Sequence, residues 1–115
     1  MEMTRKTALP SASQIEKVVK GRARIKQTTA VPFAGCQFEF EDYPDQVVTI
    51  NIFKNRNENI FEARPSHRPS ANPQNDPDQC SAAGENAIEV LDYCLAKLEA
   101  RISKGVPLVK TIFDH

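Results

Sequence analysis

The chain has 115 residues, of which 40% are hydrophobic and 26% charged, a composition typical of a globular domain rather than of a disordered chain. Fifteen basic residues balance fifteen acidic ones, so the net charge indicates neither nucleic acid nor a membrane surface as a partner. No apolar run approaches the roughly 18 residues of a transmembrane helix, and residues 1–10 lack the apolar core of a secretory signal. We therefore expect a single domain over 1–115 with a flexible N-terminus over 1–10 and no membrane partner.

The cysteine pattern indicates the redox compartment. Cys36, Cys80 and Cys94 form an odd set without a closely spaced pair. An odd count without a secretory signal is typical of reduced thiols rather than of a disulfide framework. The sequence therefore predicts a cytoplasmic protein.

The first predicted element is a short helix over 12–20. Ser13 and Glu16 have the spacing of a capping box, and the apolar residues that follow Ser13 fall on one helical face. Gly21 then interrupts the pattern, and a glycine inside a helix costs about 1 kcal/mol relative to alanine. Apolar and basic residues alternate after Gly21, which predicts a strand over 22–28. A single longer helix through Gly21 is the alternative.

Three further stretches predict an antiparallel meander. Residues 36–41 alternate apolar and polar side chains, as a half-buried strand requires. Residues 46–54 are rich in β-branched side chains and partly apolar on both faces, which predicts a central strand covered on both sides. An Asn-rich turn over 55–59 leads to a short strand over 60–64. Cys36, Phe38 and Phe40 share the apolar face of the first of these strands. Val48, Ile50 and Ile52 form one face of the central strand, and Val47, Thr49, Asn51 and Phe53 form the other.

A proline-rich segment follows over 65–80. Its prolines are spaced at intervals of four and are interleaved with Ser, Asn, Asp and Gln. Proline removes backbone donors and biases its predecessor towards extended geometry, so we expect neither a helix nor a central strand here. The composition predicts a mobile loop, which is either a plain connector or a binding loop.

The strongest periodicity predicts a long amphipathic helix over 81–104. Its apolar residues recur at alternating spacings of three and four, at Ile88, Leu91, Leu95, Leu98 and Ile102. Gly105 fits a left-handed stop after the helix, and Pro107 prevents continuation. Residues 106–115 either add an edge strand or remain an apolar tail.

Together these elements predict an α+β fold. We expect a three- to four-stranded antiparallel meander packed on the long C-terminal helix, together with a short N-terminal helix. The apolar seam of the long helix and the apolar face of residues 36–41 form the expected core.

The sequence offers little support for an enzyme or a metal protein. Cys80, His67 and Asp78 could in principle form a thiol-dependent catalytic set, but all three lie in or beside the predicted loop, and rigid elements hold catalytic groups better. The Cys and His residues are scattered without the local pairs of a zinc site, and neither a calcium-loop pattern nor a glycine-rich phosphate loop is present. We therefore predict no catalytic residue, cofactor or metal, with a thiol-dependent enzyme as the second alternative.

Nucleic-acid binding is the first alternative function, because the charge is unevenly distributed. Residues 1–30 carry seven basic and two acidic side chains. A basic patch could contact phosphate groups, although no aromatic residue is interleaved for base stacking. The candidate contacts are Lys17, Lys20, Arg22, Arg24 and Lys26.

The favoured function is contact with another protein. Val90 and Tyr93 lie beside the helix seam and widen its apolar stripe, and Phe53 adds apolar surface on the second face of its strand. We therefore predict a small non-enzymatic binding or regulatory protein, such as an adaptor, an inhibitor or an immunity-type protein. A protein partner or self-association is expected ahead of nucleic acid, and an exposed edge strand or the helix seam could form a homodimer.

Overall fold

The computed structural model describes residues 11–31, 35–55 and 60–113. It has the predicted α+β architecture, with helices packed on an antiparallel sheet. The helices are α1 (Ala12–Lys20) and α2 (Ala87–Arg101), and a 3₁₀ turn spans Pro73–Asn75. The strands are β1 (Ile25–Val31), β2 (Gly35–Phe40), β3 (Val48–Asn55), β4 (Ile60–Pro65), β5 (His67–Pro69), β6 (Ala82–Gly84) and β7 (Leu108–Lys110).

The main sheet has the order β1-β2-β3-β4-β6, and every neighbouring pair is antiparallel. The four predicted strands form its meander, with β3 at the centre, and the short β6 adds a fifth strand beside β4. The predicted Asn-rich turn between β3 and β4 falls mostly on residues 56–59, which lie outside the described residues. A second sheet pairs β5 with β7, so the alternative of a strand after α2 is confirmed.

Helix α1 has the predicted bounds but a different cap. Ser11, rather than Ser13, is the N-cap, and its hydroxyl accepts a hydrogen bond from the backbone N–H of Gln14 at 3.3 Å. The side-chain oxygen of Gln14 accepts in return from the Ser11 N–H at 2.9 Å. Glutamine completes a capping box as glutamate does, so the box lies two residues earlier than the predicted Ser13 and Glu16.

Strand β1 begins three residues later than predicted. The backbone N–H of Arg22 donates to the Val19 carbonyl at 3.2 Å, and that of Ile25 donates to the Arg22 carbonyl at 3.3 Å. These bonds extend the end of α1 into a turn over residues 22–24. Arg22 and Arg24 therefore precede the strand and do not lie on its outer face.

Helix α2 is shorter than the predicted 81–104 at both ends. The side chain of Asn86 accepts hydrogen bonds from the N–H groups of Ile88 and Glu89, at 3.0 and 3.1 Å, so Asn86 sets the start of the helix. Residues 82–84 pair with β4 instead. The helix ends at Arg101 because the next residue is extended, and Gly105 adopts its positive φ of 83° in the turn that follows.

The core lies between the helices and one face of the main sheet. The apolar face of β2 and one face of β3 are buried there, with the residues Cys36, Phe38, Phe40, Val48, Ile50 and Ile52. Leu91, Leu95 and Leu98 of α2 are fully buried, while Ile88 and Ile102 are partly buried at the edge of the same cluster. Burying one such leucine contributes about 1.5–3 kcal/mol to folding. The α2 seam is therefore the main apolar contribution of the helices to stability.

The proline-rich segment contains two short regular elements, β5 and the 3₁₀ turn, where the composition predicts a loop. Arg68 within β5 is only 2% exposed, and its guanidinium donates to backbone carbonyls of the residues that follow. Arg68 thus supplies hydrogen-bond donors to the carbonyls of a segment whose prolines lack a backbone N–H.

Candidate binding surface

One face of the main sheet is not covered by either helix. The helices pack against each other and on the opposite face, where Phe38, Ile50 and Ile52 are buried. On the uncovered face, Gln37 and Asn51 are exposed, and Thr49, Phe53 and Arg64 are half-buried. The prediction that β3 is covered on both sides is therefore wrong for the part of the chain that the structure describes. We call this surface the open face.

A groove of about 390 Å³ crosses the open face. At its centre, the guanidinium of Arg64 contacts two aromatic rings. The Cζ atom of Arg64 lies 4.8 Å from the ring centre of Phe53 and 5.0 Å from that of Phe113. Each cation–π contact at a partly exposed site contributes about 0.5–1 kcal/mol. The residues that line the groove are Asn51, Phe53, Arg64, Pro65, Ser66, Thr111 and Phe113.

Glu62 holds the guanidinium of Arg64 from one side. The two residues are two positions apart on β4, so they share the open face. Nε of Arg64 donates to one carboxylate oxygen of Glu62 at 3.0 Å, and Nη2 approaches the other at 3.4 Å. Nη1 has no hydrogen-bond partner among the described residues. The two rings and Glu62 therefore orient the guanidinium while one side of it stays available.

The chain after β7 forms one wall of the groove. The hydroxyl of Thr111 donates to the Pro65 carbonyl at 2.6 Å, and its backbone N–H donates to the Ser66 carbonyl at 2.9 Å. The N–H of the next residue, Ile112, donates to the side chain of Gln79 at 2.9 Å. These bonds extend the β7 pairing along the chain and place Phe113 over Arg64.

Arg22 of the predicted basic patch binds acidic side chains of α2. Its guanidinium binds the carboxylates of Asp92 and Glu99, and it donates to the Asp92 carbonyl at 3.0 Å. The side chain of Arg22 is 17% exposed, so it stabilises the contact between α1 and α2 and offers little surface to a phosphate group. The side chain of Lys26 lies outside what the structure describes.

Two of the other patch residues also lie near carboxylates. Arg24 binds Asp42 at 3.1 Å, and Lys20 lies 3.9 Å from Glu16 one helical turn away. Lys17 is exposed. Carboxylates therefore lie beside Arg22, Arg24 and Lys20, three of the five cations that motivate the nucleic-acid alternative.

The three predicted protein contacts do not form one surface. Val90 is 3% exposed and packs in the core. Tyr93 is 56% exposed on α2, where the ammonium of Lys97 lies 5.3 Å from its ring centre. Phe53 belongs to the open face, on the other side of the sheet. Of the three, Phe53 and Tyr93 remain accessible to a partner, on opposite sides of the molecule.

The thiols are poorly placed for nucleophilic chemistry. Burial raises the pKa of Cys36 to about 12 and also raises the pKa of Cys80 and of Cys94. A nucleophilic cysteine needs a lowered pKa instead. Asp78 accepts from the backbone N–H of Cys80 at 2.9 Å, and Nδ1 of His67 lies 2.8 Å from the Ser66 hydroxyl. The thiol-dependent alternative gains no support from these contacts.

The described residues also give no support for a bound metal ion. Within residues 11–31, 35–55 and 60–113, no three His, Cys, Asp or Glu side chains converge as a metal site would require. The helices in the same ranges are too short or too polar to cross a bilayer.

Sequence reasoning identifies one wall of the groove, Phe53, but not its other two central residues. Glu62 and Arg64 share the outward face of β4 and alternate with the buried Phe61 and Ala63. This alternation in the sequence could have identified Arg64. Phe113 has no comparable local signal, because its position depends on the pairing of β7 with β5.

Comparison of the chain with models of protein families, with curated proteins and with solved structures finds no match in any of the three.

Proposed function

We propose that this chain is a small non-enzymatic binding protein that acts by contact with a protein partner. The supporting observation is the groove on the open face, where Arg64 lies between Phe53 and Phe113. Aromatic residues and arginine are enriched at the centres of protein interfaces, and they supply a large share of the binding energy there. A guanidinium already ordered by its neighbours also loses less entropy on binding.

A protein partner fits the charges better than nucleic acid does. Binding to phosphate depends on cations that are free to replace counterions. Arg22 and Arg24 are instead engaged by Asp92, Glu99 and Asp42. The aromatic rings of the groove lie on the open face, whereas Arg22 lies against α2.

The test is affinity capture from the native host at low and at moderate salt, with bound protein and nucleic acid both identified. Three baits are compared: the wild type, Phe53→Ala and Tyr93→Ala. We expect one stoichiometric protein that survives moderate salt, is lost with Phe53→Ala and is kept with Tyr93→Ala. Tyr93 is the matched control because it is also an accessible aromatic residue, but it lies on α2.

Other outcomes would contradict the proposal. Nucleic acid that disappears at moderate salt and on charge reversal of Lys17 would support the first alternative instead. A partner lost only with Tyr93→Ala would place the contact on α2 rather than in the groove. Light scattering at two concentrations distinguishes a second copy of this chain from a different partner.

A further inference from the structure

The unoccupied side of the Arg64 guanidinium indicates what the groove binds. A guanidinium presents two pairs of parallel donors, one formed by Nε and Nη2 and the other by Nη1 and Nη2. Glu62 occupies the first pair. Nη1 makes no hydrogen bond within the described ranges, and Arg64 lines the groove. The second pair matches the geometry of a carboxylate, which accepts two parallel hydrogen bonds.

The walls of the groove add a requirement for apolar groups. Phe53 and Phe113 flank the guanidinium at about equal distances, 4.8 and 5.0 Å. A ligand that reaches Arg64 therefore also contacts aromatic carbon. The side chains of an extended peptide alternate, so residues two positions apart lie on one side, about 6.6 Å from each other. An acidic residue and an apolar residue at this spacing can reach the guanidinium and one ring together.

We propose that the groove binds an acidic side chain of an extended partner segment, with an apolar residue two positions away packed against Phe53 or Phe113. This inference rests on the proposed function and specifies the chemistry of the partner. The carboxylate of the partner pairs with Nη1 and Nη2 of Arg64, on the edge of the guanidinium next to the one that Glu62 occupies.

The experiment is an NMR titration of the full chain that follows the Nε–H signal of Arg64 and the ring protons of Phe53 and Phe113. The probes are two blocked peptides, acetyl-Val-Ser-Glu-Ser-Val-amide and its neutral isostere acetyl-Val-Ser-Gln-Ser-Val-amide. We expect the Glu peptide to shift these signals and the Gln peptide to bind about tenfold more weakly, because a charge-assisted pair is lost. A third peptide, with Ser in place of both Val residues, should also bind more weakly.

Two variants test whether Arg64 causes the preference for the Glu peptide over the Gln peptide. Arg64→Lys keeps the charge but removes the paired donors, so we expect it to bind the Glu peptide more weakly and to retain only the part of the Glu preference that charge alone provides. Arg24→Lys is the matched control, since Arg24 also pairs with a carboxylate but lies outside the groove. Thermal melting shows whether Arg64→Lys folds. If it does not, Phe113→Ala replaces it and should weaken the binding of the Glu peptide.

Several results would overturn the inference: equal affinity for the Glu and Gln peptides, signal shifts confined to other surfaces, or displacement of the Glu peptide by lower concentrations of inorganic phosphate than of acetate. The last result would indicate a phosphate ligand such as nucleic acid. The inference and the proposed function fail separately. A captured partner that depends on Phe53, with no preference between the peptides, removes the inference alone. Peptide discrimination without any captured protein removes the proposed function.

Discussion

The guanidinium of Arg68 lies 2.8 Å from the backbone carbonyl oxygen of Asp76 and 3.3 Å from its carboxylate. The same guanidinium donates to the carbonyls of Asp78 at 2.6 Å and of Pro73 at 3.4 Å. Because Arg68 is 2% exposed, these residues fold over a buried cation rather than over apolar side chains. Asp76 also binds Arg101 of α2, which joins the segment to the helix layer.

Arg68→Met should release this segment. The substitution keeps much of the side-chain volume but removes the donors to the Asp76 and Asp78 carbonyls. Each hydrogen bond to a charged group contributes about 1.5–3 kcal/mol. We expect a protease of broad specificity to spare residues 70–79 in the wild type and to cleave them first in the variant. Mass spectrometry of the early fragments locates the cuts.

The control for this experiment is Arg24→Met, which removes an arginine whose side chain is 46% exposed. It should leave the cleavage pattern unchanged. Early cleavage of residues 70–79 in the wild type would instead favour the mobile loop that the prolines predict.

Asp76 should make stability depend on acid pH. Hydrogen bonds from Arg101 and from Ser70 lower the pKa of this carboxyl from its ordinary 3.8. The ionised form is therefore favoured in the folded state. Its contribution to stability is present above the ordinary pKa and is lost as the pH falls towards the lower folded value. Between about pH 4 and about pH 2, the melting temperature of the wild type should fall more steeply than that of Asp76→Asn.

Asp76→Asn should also melt at a lower temperature than the wild type at neutral pH, because it lacks the charged acceptor for Arg101. Parallel pH profiles for the two proteins would contradict this role of Asp76. Arg24→Gln breaks an exposed ion pair instead and should change the profile little.

The sequence predicts those parts of the fold that depend on local periodicity. The meander follows from alternating side chains, and the buried face of α2 follows from its repeat of three and four residues. The start of α2 is not predicted correctly. The predicted helix begins at residue 81, whereas Asn86 caps the observed helix and residues 82–84 form β6. Strands β5 and β7 have three residues each, which is too short for an alternating pattern of apolar and polar residues to be recognised. They also pair across a long sequence separation, which no local pattern indicates. The groove depends on that pairing, which explains why only Phe53 of its three central residues is identified in advance.

Leu95→Ala should destabilise the protein strongly. Leu95 is fully buried in the α2 seam, and truncation of such a residue costs about 2–5 kcal/mol through lost burial and the cavity left behind. Urea unfolding followed by circular dichroism measures the loss. Ala96→Ser, at the next and exposed position, should change the free energy of unfolding by less than about 0.5 kcal/mol. An unchanged Leu95→Ala would remove α2 from the core.

The thiols should react only after unfolding. Cys36, Cys80 and Cys94 are buried, and desolvation raises the pKa of each thiol. We expect slow reaction with a thiol reagent in the folded protein and rapid reaction of all three in concentrated guanidinium chloride. Rapid modification of Cys80 in the folded protein would restore the thiol-dependent alternative.

The contact of Arg22 with α2 also bears on how long the folded state lasts. Most strand pairs of the meander close short loops, whereas Arg22 bridges 70 positions to Asp92 and 77 to Glu99. Contacts between distant segments carry a larger loop-closure cost than local ones, so we expect the contacts of Arg22 to form late in folding. Interactions absent from the transition state of folding change the unfolding rate rather than the folding rate. We therefore expect neutralisation of Arg22 to shorten the lifetime of the native protein while new chains fold almost as fast as before, which stopped-flow unfolding and refolding would measure.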